Sequence, residues 1–418
     1  MKLSVDKLAE NLIWILTVFI LVTYLVLETY TWGRYAYLGA SLAILLLSAY
    51  LHRGRIRIRV VPYYGFMLLF IGFTALSSLW ALNMADSISK AVTITLILIC
   101  NMMLYVHYQY EDDVEKLLRA VMWAGYIVAI YAISFYGLDT IMLATAGQQV
   151  GNEFSNIINI GMIIAISCAI QIHEWQYKRH RWCVVFMVPC IIVVAALQSR
   201  TALIMLGIGV FLTYFVKHNE NKNAIIRVVR IIFLLMLVFG TIVVLYSLPI
   251  FDGVRNRMDR MIAGFLGEAG ADNSTLVRQN MTALGWEWFL KHPIGGIGIG
   301  NPHILAGRYL TRDTYLHNNF AELLCGGGII GFCSYYGMYV YLFANLFKYR
   351  AVDVEHFEIC VVLLIMMLAS DFGGVSYYYK PQWFYIMIHF INIACIKRKA
   401  GEIQYAPKKN PESRNQIS

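Results

Sequence analysis

Charged side chains are scarce in this sequence. Of its 418 residues only 14% are Asp, Glu, Lys or Arg, whereas a water-soluble domain carries about 25%. Hydrophobic residues make up 59% of the chain, above the ~45–50% of soluble domains, and the mean hydropathy is +0.60. This composition excludes a cytosolic enzyme and a disordered protein, and it predicts a polytopic membrane protein.

Paired cysteines and a cleavage site are also missing. The eight cysteines are spread singly, without a C-x-x-C pair, so they predict no disulfide framework. We interpret them as small hydrophobic side chains embedded in the membrane domain. No small-residue cleavage site follows the first apolar run, which predicts a retained span rather than a removed signal peptide.

Long apolar runs recur along the whole chain. A helix needs about 20 largely apolar residues to cross the bilayer, with about 17–25 tolerated. Runs of this kind predict an all-α protein of about twelve transmembrane helices. They cover residues 11–30, 35–51, 61–83, 91–108, 121–137, 157–173, 183–198, 201–216, 231–249, 326–347, 357–371 and 384–396.

The distribution of Lys and Arg predicts the orientation of these spans. With the N-terminus inside, the inner segments hold 23 of the 34 basic residues. One long outer loop holds 7, and the other outer segments hold 4. Because cytoplasmic loops are enriched in Lys and Arg, both termini are predicted to be cytoplasmic. The formal net charge of +9 is therefore a topology signal, and nucleic acid is not a predicted partner.

The predicted organisation is one transmembrane domain with one large insertion. Residues 1–396 form the domain, and an outer loop at 249–316 is inserted between spans nine and ten. Residues 397–418 are polar and contain proline, so we expect a disordered cytoplasmic tail. Since the cytoplasmic turns are too short for a nucleotide-binding domain, we expect no nucleotide cofactor, and any active site should lie on the extracytoplasmic face.

Two segments of the outer loop have readable patterns. Val277, Met281, Leu284 and Trp288 recur at helical spacing, which predicts an amphipathic helix with Arg278 in its first turn, capped from residues 272–274. KHPIGGIGIGNP, residues 291–302, is a glycine-rich turn. It lacks the GK[ST] of a nucleotide-binding loop, so we expect its backbone to pass closely under a substrate or a helix.

The segment TYLHNNFAELLCGGGIIGF predicts a broken helix. Thr314 is its predicted N-cap, which places His317 in the first turn, where the helix dipole favours a neutral imidazole. The three glycines 326–328 permit a break before span ten. The pattern is typical of a short re-entrant helix that lines a polar cavity.

Arg200 lies in the very short turn ALQSRTALIML between spans seven and eight. Ser199 is a predicted N-cap for the helix that follows. An arginine at the membrane edge is costly and therefore marks a functional site by default. Its guanidinium, together with free backbone N–H groups, would make a seat for a phosphate.

Three motifs, in this order, carry a family resemblance. They are SRTALIML, then R-(x14)-P-x-G-G-x-G-x-G-N from Arg278 to Asn301, then HNNFAELLCGGGIIG. The combination resembles the O-antigen ligase and polymerase family, integral membrane glycosyltransferases of surface-polysaccharide assembly. The resemblance implies a donor glycan on undecaprenyl diphosphate, transferred at the outer face of the cytoplasmic membrane without a metal or nucleotide cofactor. The outer segments likewise contain no D-x-D pair.

The resemblance also implies roles for three residues. Arg200 would engage the donor diphosphate, Arg278 would be a second arginine that neutralises it, and His317 would orient or activate the acceptor hydroxyl. Such chemistry suits arginine donors and a titratable histidine. Weaker candidates for substrate contact are Arg255, Arg257, Arg260, Asn318 and Tyr378. The implied partners are the undecaprenyl-diphosphate-linked oligosaccharide and membrane lipid, with a chain-length regulator and a flippase as candidate protein partners.

The sequence leaves more than one function open. A polymerase, which joins one repeat unit to another, is preferred to a ligase. A transporter or lipid flippase and a non-catalytic scaffold are the rival functions from different classes of protein. Each site residue also has a structural interpretation: Arg200 could snorkel to lipid head groups, Arg278 could pair with Asp272 or Glu287, and His317 could cap its helix.

The remaining histidines and an aromatic cluster are interpreted as structural. His292 and His303 are assigned to loop structure, and His389 to a buried position with satisfied hydrogen bonds. The outer cluster Tyr377–Tyr379 with Trp383 is interpreted as a membrane belt in preference to a sugar-stacking shelf.

Overall fold

The described part of the chain is helical. The computed structural model describes residues 5–26, 33–54, 61–109, 114–145, 157–197, 199–216, 236, 255–256, 258–260, 262–263 and 273–401. Over these residues 84% of the backbone is helix, and they contain no strand. The predicted all-α class is therefore confirmed.

The helices, in chain order, are α1 (Val5–Val26), α2 (Gly33–Leu51), α3 (Pro62–Ser77), α4 (Met84–Tyr108), α5 (Val114–Tyr136), α6 (Leu138–Thr145), α7 (Ile157–Lys178), α8 (Trp182–Ala196), α9 (Arg200–Val216), α10 (Asn273–Lys291), α11 (Pro302–Leu310), α12 (Asn319–Lys348), α13 (Val354–Ser370) and α14 (Lys380–Lys399).

Several of these helices can cross a membrane. By length and composition α1, α4, α5, α7 and α12 each contain an apolar stretch of spanning size. Shorter apolar helices lie in α2, α3, α8 and α9. Each predicted span within the described residues overlaps a helix, whereas the predicted span 231–249 lies outside them. The molecule is a membrane protein, and the number of twelve spans and the side of each terminus stay predictions.

Helix α7 contacts four other helices, and small side chains let it approach two of them closely. It packs against α5, α8, α9 and α13. Gly125 of α5 faces Ser167 so closely that an added Cβ would lie 2.3 Å from the Ser167 Cβ. Gly161 faces Ala202 of α9 at the same distance. Small residues at such crossings are typical of helix packing in membranes.

Helices α4 and α14 are two of those that extend beyond their predicted bounds. α4 begins at Met84, with the Asn83 side chain accepting a hydrogen bond from Ala85 N, instead of at residue 91. The extra turns bring Ser87 and Lys90 against the glycine-rich loop. α14 runs on to Lys399, so the predicted disorder of the tail is wrong for residues 397–399; basic residues there complement the helix dipole. Residues 402–418 lie outside the described part.

Candidate functional site

Arg200 begins helix α9, as the sequence predicts. The Ser199 side chain accepts a hydrogen bond from Ala202 N at 3.4 Å, and its carbonyl oxygen accepts one from Leu203 N at 2.9 Å. Thr201 lies directly against Gly373, where an added Cβ would come within 2.1 Å of the Thr201 Oγ1. The start of α9 is therefore pressed onto the loop that joins α13 to α14.

Helix α10 carries the predicted apolar stripe. Met281 and Leu284 are buried, and Val277 and Trp288 pack against the same cluster. This cluster also contains residues from the glycine-rich loop, from α11 and from α12. Because α10 begins at Asn273, within the predicted cap segment 272–274, Arg278 is its sixth residue and lies in the second turn and not in the first.

The glycine-rich loop runs directly against a break in helix α12. Gly328 has φ 57° and ψ −161°, a conformation that interrupts the helical hydrogen bonds. The loop replaces them, because Ile297 N donates to Cys325 O at 3.0 Å and Ile329 N donates to Pro293 O at 2.8 Å. The predicted break and the predicted close passage of this loop under a helix are both confirmed.

The turn before α12 differs from the prediction. Asn318, not Thr314, is the N-cap, and its side chain accepts a hydrogen bond from Ala321 N at 3.0 Å. His317 therefore precedes the helix, with a left-handed φ of 56°. The predicted Thr314 cap and the position of His317 in the first turn are wrong, because the extended backbone needed at an N-cap occurs at Asn318 (φ −148°).

His317 lies in a positively charged and half-buried environment. Burial first, and then the charges of Arg278 and Arg312, lower its pKa from 6.5 to about 4. Its ring packs on Tyr315, with ring centroids 4.3 Å apart, and its Nδ1 is buried without a hydrogen-bond partner among the described residues. The imidazole is thus neutral near pH 7 and can accept a proton. The structure brings Arg278 and His317 together and adds Arg312, which the sequence analysis did not single out.

A cavity of about 270 Å³ lies beside this turn. Tyr315 lines it on one side, and Ser376, Tyr378 and Tyr379 of the α13–α14 loop line it on another. Asn159 and Met162 of α7 complete the wall. Three tyrosine rings with interspersed hydroxyl and amide groups give the cavity both apolar and polar surface.

Asn319 fastens this loop to the start of α12, a link that the sequence analysis missed. Its Oδ1 accepts hydrogen bonds from Ser376 N at 3.0 Å and Tyr377 N at 3.3 Å. Its backbone N–H donates to Asp371 O at 2.7 Å, and Tyr336 OH donates to Asp371 Oδ2 at 2.8 Å. The feature of the sequence that could have indicated this link is the second asparagine of the HNN motif, which is Asn319. The loop that contacts α9 is thereby joined to the turn that carries His317, so Arg200 and His317 lie at the same end of the bundle.

The weaker candidates for substrate contact do not all lie at the cavity. Tyr378 lines the cavity, and the Lys90 ammonium lies 3.6 Å from its ring centroid. Asn318 uses its side-chain oxygen as the helix cap. Arg255 is half-buried, and Arg260 is exposed and donates to Asn256 O in its own helical turn. Arg257 lies outside the described residues.

The aromatic cluster is buried and not a membrane belt. Tyr377 is 1% exposed and Trp383 is 0% exposed, and Trp383 Nε1 donates to Tyr377 O at 2.8 Å. The belt interpretation is therefore wrong for these two residues, because they pack inside the bundle where the loop between α13 and α14 folds back.

Two histidines are structural, as predicted. His389 is buried, and its ring nitrogens face Tyr385 O at 2.6 Å and Cys360 O at 3.1 Å. His303 connects α11 to α4 and to the following loop, with Nε2 at 3.1 Å from Asp86 Oδ2 and Nδ1 at 2.5 Å from Asp313 Oδ1. Within the ranges that the structure describes, no three His, Cys, Asp or Glu side chains are grouped as metal ligands.

The comparison with known families bears on this region. The family model described as O-antigen ligase matches residues 184–336, which include Arg200, Arg278 and His317. No curated protein matches the chain. The matched range runs from α8 into the second half of α12 and so covers the glycine-rich loop and the turn before α12. Residues 184–336 are therefore similar to the domain of the O-antigen ligase and polymerase-like family, which implies an enzyme of the glycosyl-transfer type.

Proposed function

We propose that the protein is a polymerase of a surface polysaccharide. It would transfer glycan from an undecaprenyl-diphosphate-linked donor to a sugar hydroxyl of another lipid-linked repeat unit. The observation that carries this proposal is that the neutral, arginine-flanked His317 of the matched domain packs on Tyr315, which lines a tyrosine-rich cavity. A general base for a hydroxyl group and a pocket for a sugar ring are the two parts that such a transfer needs.

The arginines would stabilise the leaving group. When the anomeric C–O bond breaks, its electron pair stays on the diphosphate, which departs with an additional negative charge. Preorganised donors aimed at developing charge typically lower a barrier by about 2.7–4 kcal/mol each. Arg200, at a capped helix start, and Arg278, beside His317, are the proposed donors. With two guanidinium groups in this role, the transfer would not require a metal ion.

His317 would take the proton of the acceptor hydroxyl. As the hydroxyl oxygen forms its bond to the anomeric carbon, its proton would pass to the neutral imidazole, so atoms and charge balance. Positioned acid–base groups typically contribute about 10²–10⁴-fold. A histidine held neutral by burial and by the charges of Arg278 and Arg312 can accept that proton without first losing one.

The cavity would hold the acceptor sugar. Tyr315 packs on His317 and also lines the cavity, so a sugar bound there would lie next to the imidazole. Tyr378 and Tyr379 offer ring faces, and Ser370, Ser376 and Asn159 offer polar groups. Ligand pockets usually combine apolar walls with a few placed polar groups in this way.

The proposed setting is the outer face of the cytoplasmic membrane. The excess of Lys and Arg in the predicted inner segments supports this orientation, which places α10, α11 and the start of α12 outside. A lipid-linked donor would reach the site from the outer leaflet. Surface polysaccharides are assembled there from carriers that have already crossed the membrane.

A ligase is the second candidate function, because the matching family is described as O-antigen ligase. A ligase would use the same donor and the same three residues. It would differ in its acceptor, which would be a lipid or another surface molecule and not a second repeat unit.

Separate Arg200→Ala and His317→Ala variants test the proposal in a strain that lacks the native gene. We expect both to lose long polysaccharide on a gel ladder and to accumulate single lipid-linked repeat units at normal protein level. Arg350→Ala and His180→Ala are matched controls, since both side chains are exposed and distant from the proposed site in sequence. Accumulation of free lipid-linked polymer would instead identify a ligase, and unchanged ladders in both variants would refute the site assignment.

A further inference from the structure

Glu322 is a buried acid in the first turn of α12 that the proposed chemistry does not use. Its side chain is only 3% exposed, although it carries a carboxyl group. Its Oε2 accepts a hydrogen bond from Leu316 N at 2.9 Å. A buried carboxyl group is costly unless hydrogen bonds satisfy it, so this contact with the residue just before His317 is a specific one.

Leu316 is fixed from its other side by α10. Its side chain is fully buried, and an added Cβ on Gly285 would lie 2.7 Å from the Leu316 Cδ1. The backbone N–H faces Glu322 while the side chain is packed under α10, the helix that also carries Arg278. Leu316 is therefore held between Glu322 of α12 and the helix that carries Arg278.

His317 has a backbone conformation that needs support. A left-handed φ at a residue other than glycine costs of order 1–3 kcal/mol and persists only where neighbours hold it. After His317 the chain is held by the Asn318 cap and by the Asn319 hydrogen bonds. Before His317 the backbone is held by Glu322, through Leu316 N.

The conformation of this turn also sets the place of the imidazole. Tyr315 and His317 pack their rings together, and Tyr315 lines the cavity. If the Leu316 hydrogen bond were lost, His317 could relax towards an ordinary φ and its ring would leave this position. Lys90 and His303 act electrostatically on the Glu322 carboxyl group, and Lys90 itself lies over the Tyr378 ring at the cavity wall.

We propose that Glu322 is a positioning residue, whose carboxylate holds the 315–317 turn so that the His317 imidazole faces the acceptor sugar. This inference rests on the proposed function. It adds Glu322 as the residue of α12 that holds His317, the proposed base, in position. Glu322 does not touch substrate in this account; it acts through Leu316 N.

The test compares Glu322→Ala with Glu322→Gln in detergent-purified full-length protein assayed with lipid-linked repeat units. Alanine removes the acceptor, and a displacement of about 1 Å can cost of order 100-fold in rate, so we expect kcat to fall about 10–100-fold with a smaller change in KM. Glutamine keeps an acceptor oxygen in the same place and should stay within a few-fold of the native rate. Equal losses in both variants would overturn the proposal.

A double-mutant cycle shows whether Glu322 acts through His317. In the His317→Ala background, Glu322→Ala should add no further loss, because the group that it positions is gone. Glu358→Ala is the matched control, because Glu358 is also buried, at 4% exposed, and accepts a hydrogen bond from Tyr177 OH at 2.6 Å. Both of these residues lie on helices other than α10 and α12. The effect of Glu358→Ala should therefore multiply with that of His317→Ala. If the effect of Glu322→Ala also multiplied with that of His317→Ala, the positioning role of Glu322 would be refuted.

Amide hydrogen exchange provides a readout that is independent of turnover. The peptide containing Leu316 should exchange faster in Glu322→Ala and at the native rate in Glu322→Gln. Unchanged exchange in Glu322→Ala would also overturn the proposal. Full activity of His317→Ala alone would refute the proposed function. An impaired His317→Ala whose residual activity Glu322→Ala lowers multiplicatively would refute only the present inference.

Discussion

At the residue scale, the central feature is a histidine whose surroundings keep it uncharged. Burial and two arginines act on His317 in the same direction, since each disfavours the imidazolium. An arginine beside the base would therefore have two effects. It would bind an anionic leaving group, and it would keep the base free of its proton at the pH at which the enzyme works.

This arrangement predicts an unusual pH dependence. Because the pKa of His317 is about 4 in the folded protein, the neutral form should persist well below pH 6.5, and activity should fall only as the pH approaches 4. In Arg278→Gln one of the two charges is lost, so the pKa rises and the acidic limb of kcat/KM moves towards pH 6.5. Initial rates measured between pH 4 and 8 check both statements.

The control for that profile is Arg308→Gln, which removes an exposed arginine of α11. Its acidic limb should coincide with that of the native protein. An acidic limb near pH 6.5 in the native enzyme would contradict the assignment of His317 as the base. If Arg278→Gln lowered kcat without moving the limb, Arg278 would not be acting on the pKa of His317.

At the scale of elements, the glycine-rich loop and the broken start of α12 form one unit. An added Cβ on Gly328 would lie 2.3 Å from Ile294 O, and its φ and ψ belong to a region accessible essentially only to glycine. Gly328→Ala should therefore lower the free energy of unfolding by at least about 1–3 kcal/mol. The measurement is the thermal midpoint in detergent, followed by fluorescence-detected size exclusion.

Gly337→Ala is the matched control in the same helix. The nearest atom to an added Cβ there is the Phe66 Cε1 at 3.8 Å, an ordinary contact, and alanine is favoured over glycine inside a helix by about 0.5–1 kcal/mol. This variant should be as stable as the native protein or more so. Equal midpoints for Gly328→Ala and the native chain would show that the loop does not constrain the break.

The elements also show where sequence reasoning succeeds and where it fails. The stripe through Met281 and Leu284 and the break at the three glycines were predictable, because local periodicity and glycine content determine them. The conformation of His317 was not, since it depends on Glu322 and on an asparagine cap that competes with Thr314. These contacts join polar side chains to the backbone only six and three residues away, and they leave no periodic trace in a sequence.

A buried asparagine joins the glycine-rich loop to the start of the fourth helix. Asn301 Nδ2 donates to Ser87 Oγ at 3.0 Å, and Asn301 Oδ1 accepts from Asn83 N at 2.5 Å, with no exposure of the side chain. Asn301→Ala leaves Asn83 N and a buried hydroxyl without this partner, so the free energy of unfolding should fall by about 1–3 kcal/mol. The control is Asn280→Ala, which removes an exposed amide. The measurement is the thermal midpoint of each variant, and equal midpoints for the two would contradict the prediction.

At the scale of the whole molecule, the site is built from distant parts of the chain. The start of α9, the second turn of α10, the turn before α12 and the α13–α14 loop contribute to one end of the bundle. The composition predicted the helical class, and the order of the motifs singled out Arg200, Arg278 and His317 as candidates. The joining of these parts by Asn319 required the structure, because the HNN motif does not show which backbone groups its second asparagine binds.

Orientation in the membrane is the molecule-scale property on which a donor from the outer leaflet depends. Arg308 on α11 and Arg181 before α8 are both exposed, and the Lys and Arg distribution predicts opposite sides for them. In a chain whose native cysteines are replaced, Arg308→Cys should react with a membrane-impermeant maleimide in intact spheroplasts. Arg181→Cys should react only after permeabilisation. The reverse pattern would place the arginines and His317 on the cytoplasmic face, where a carrier-linked glycan that has already crossed the membrane could not reach them.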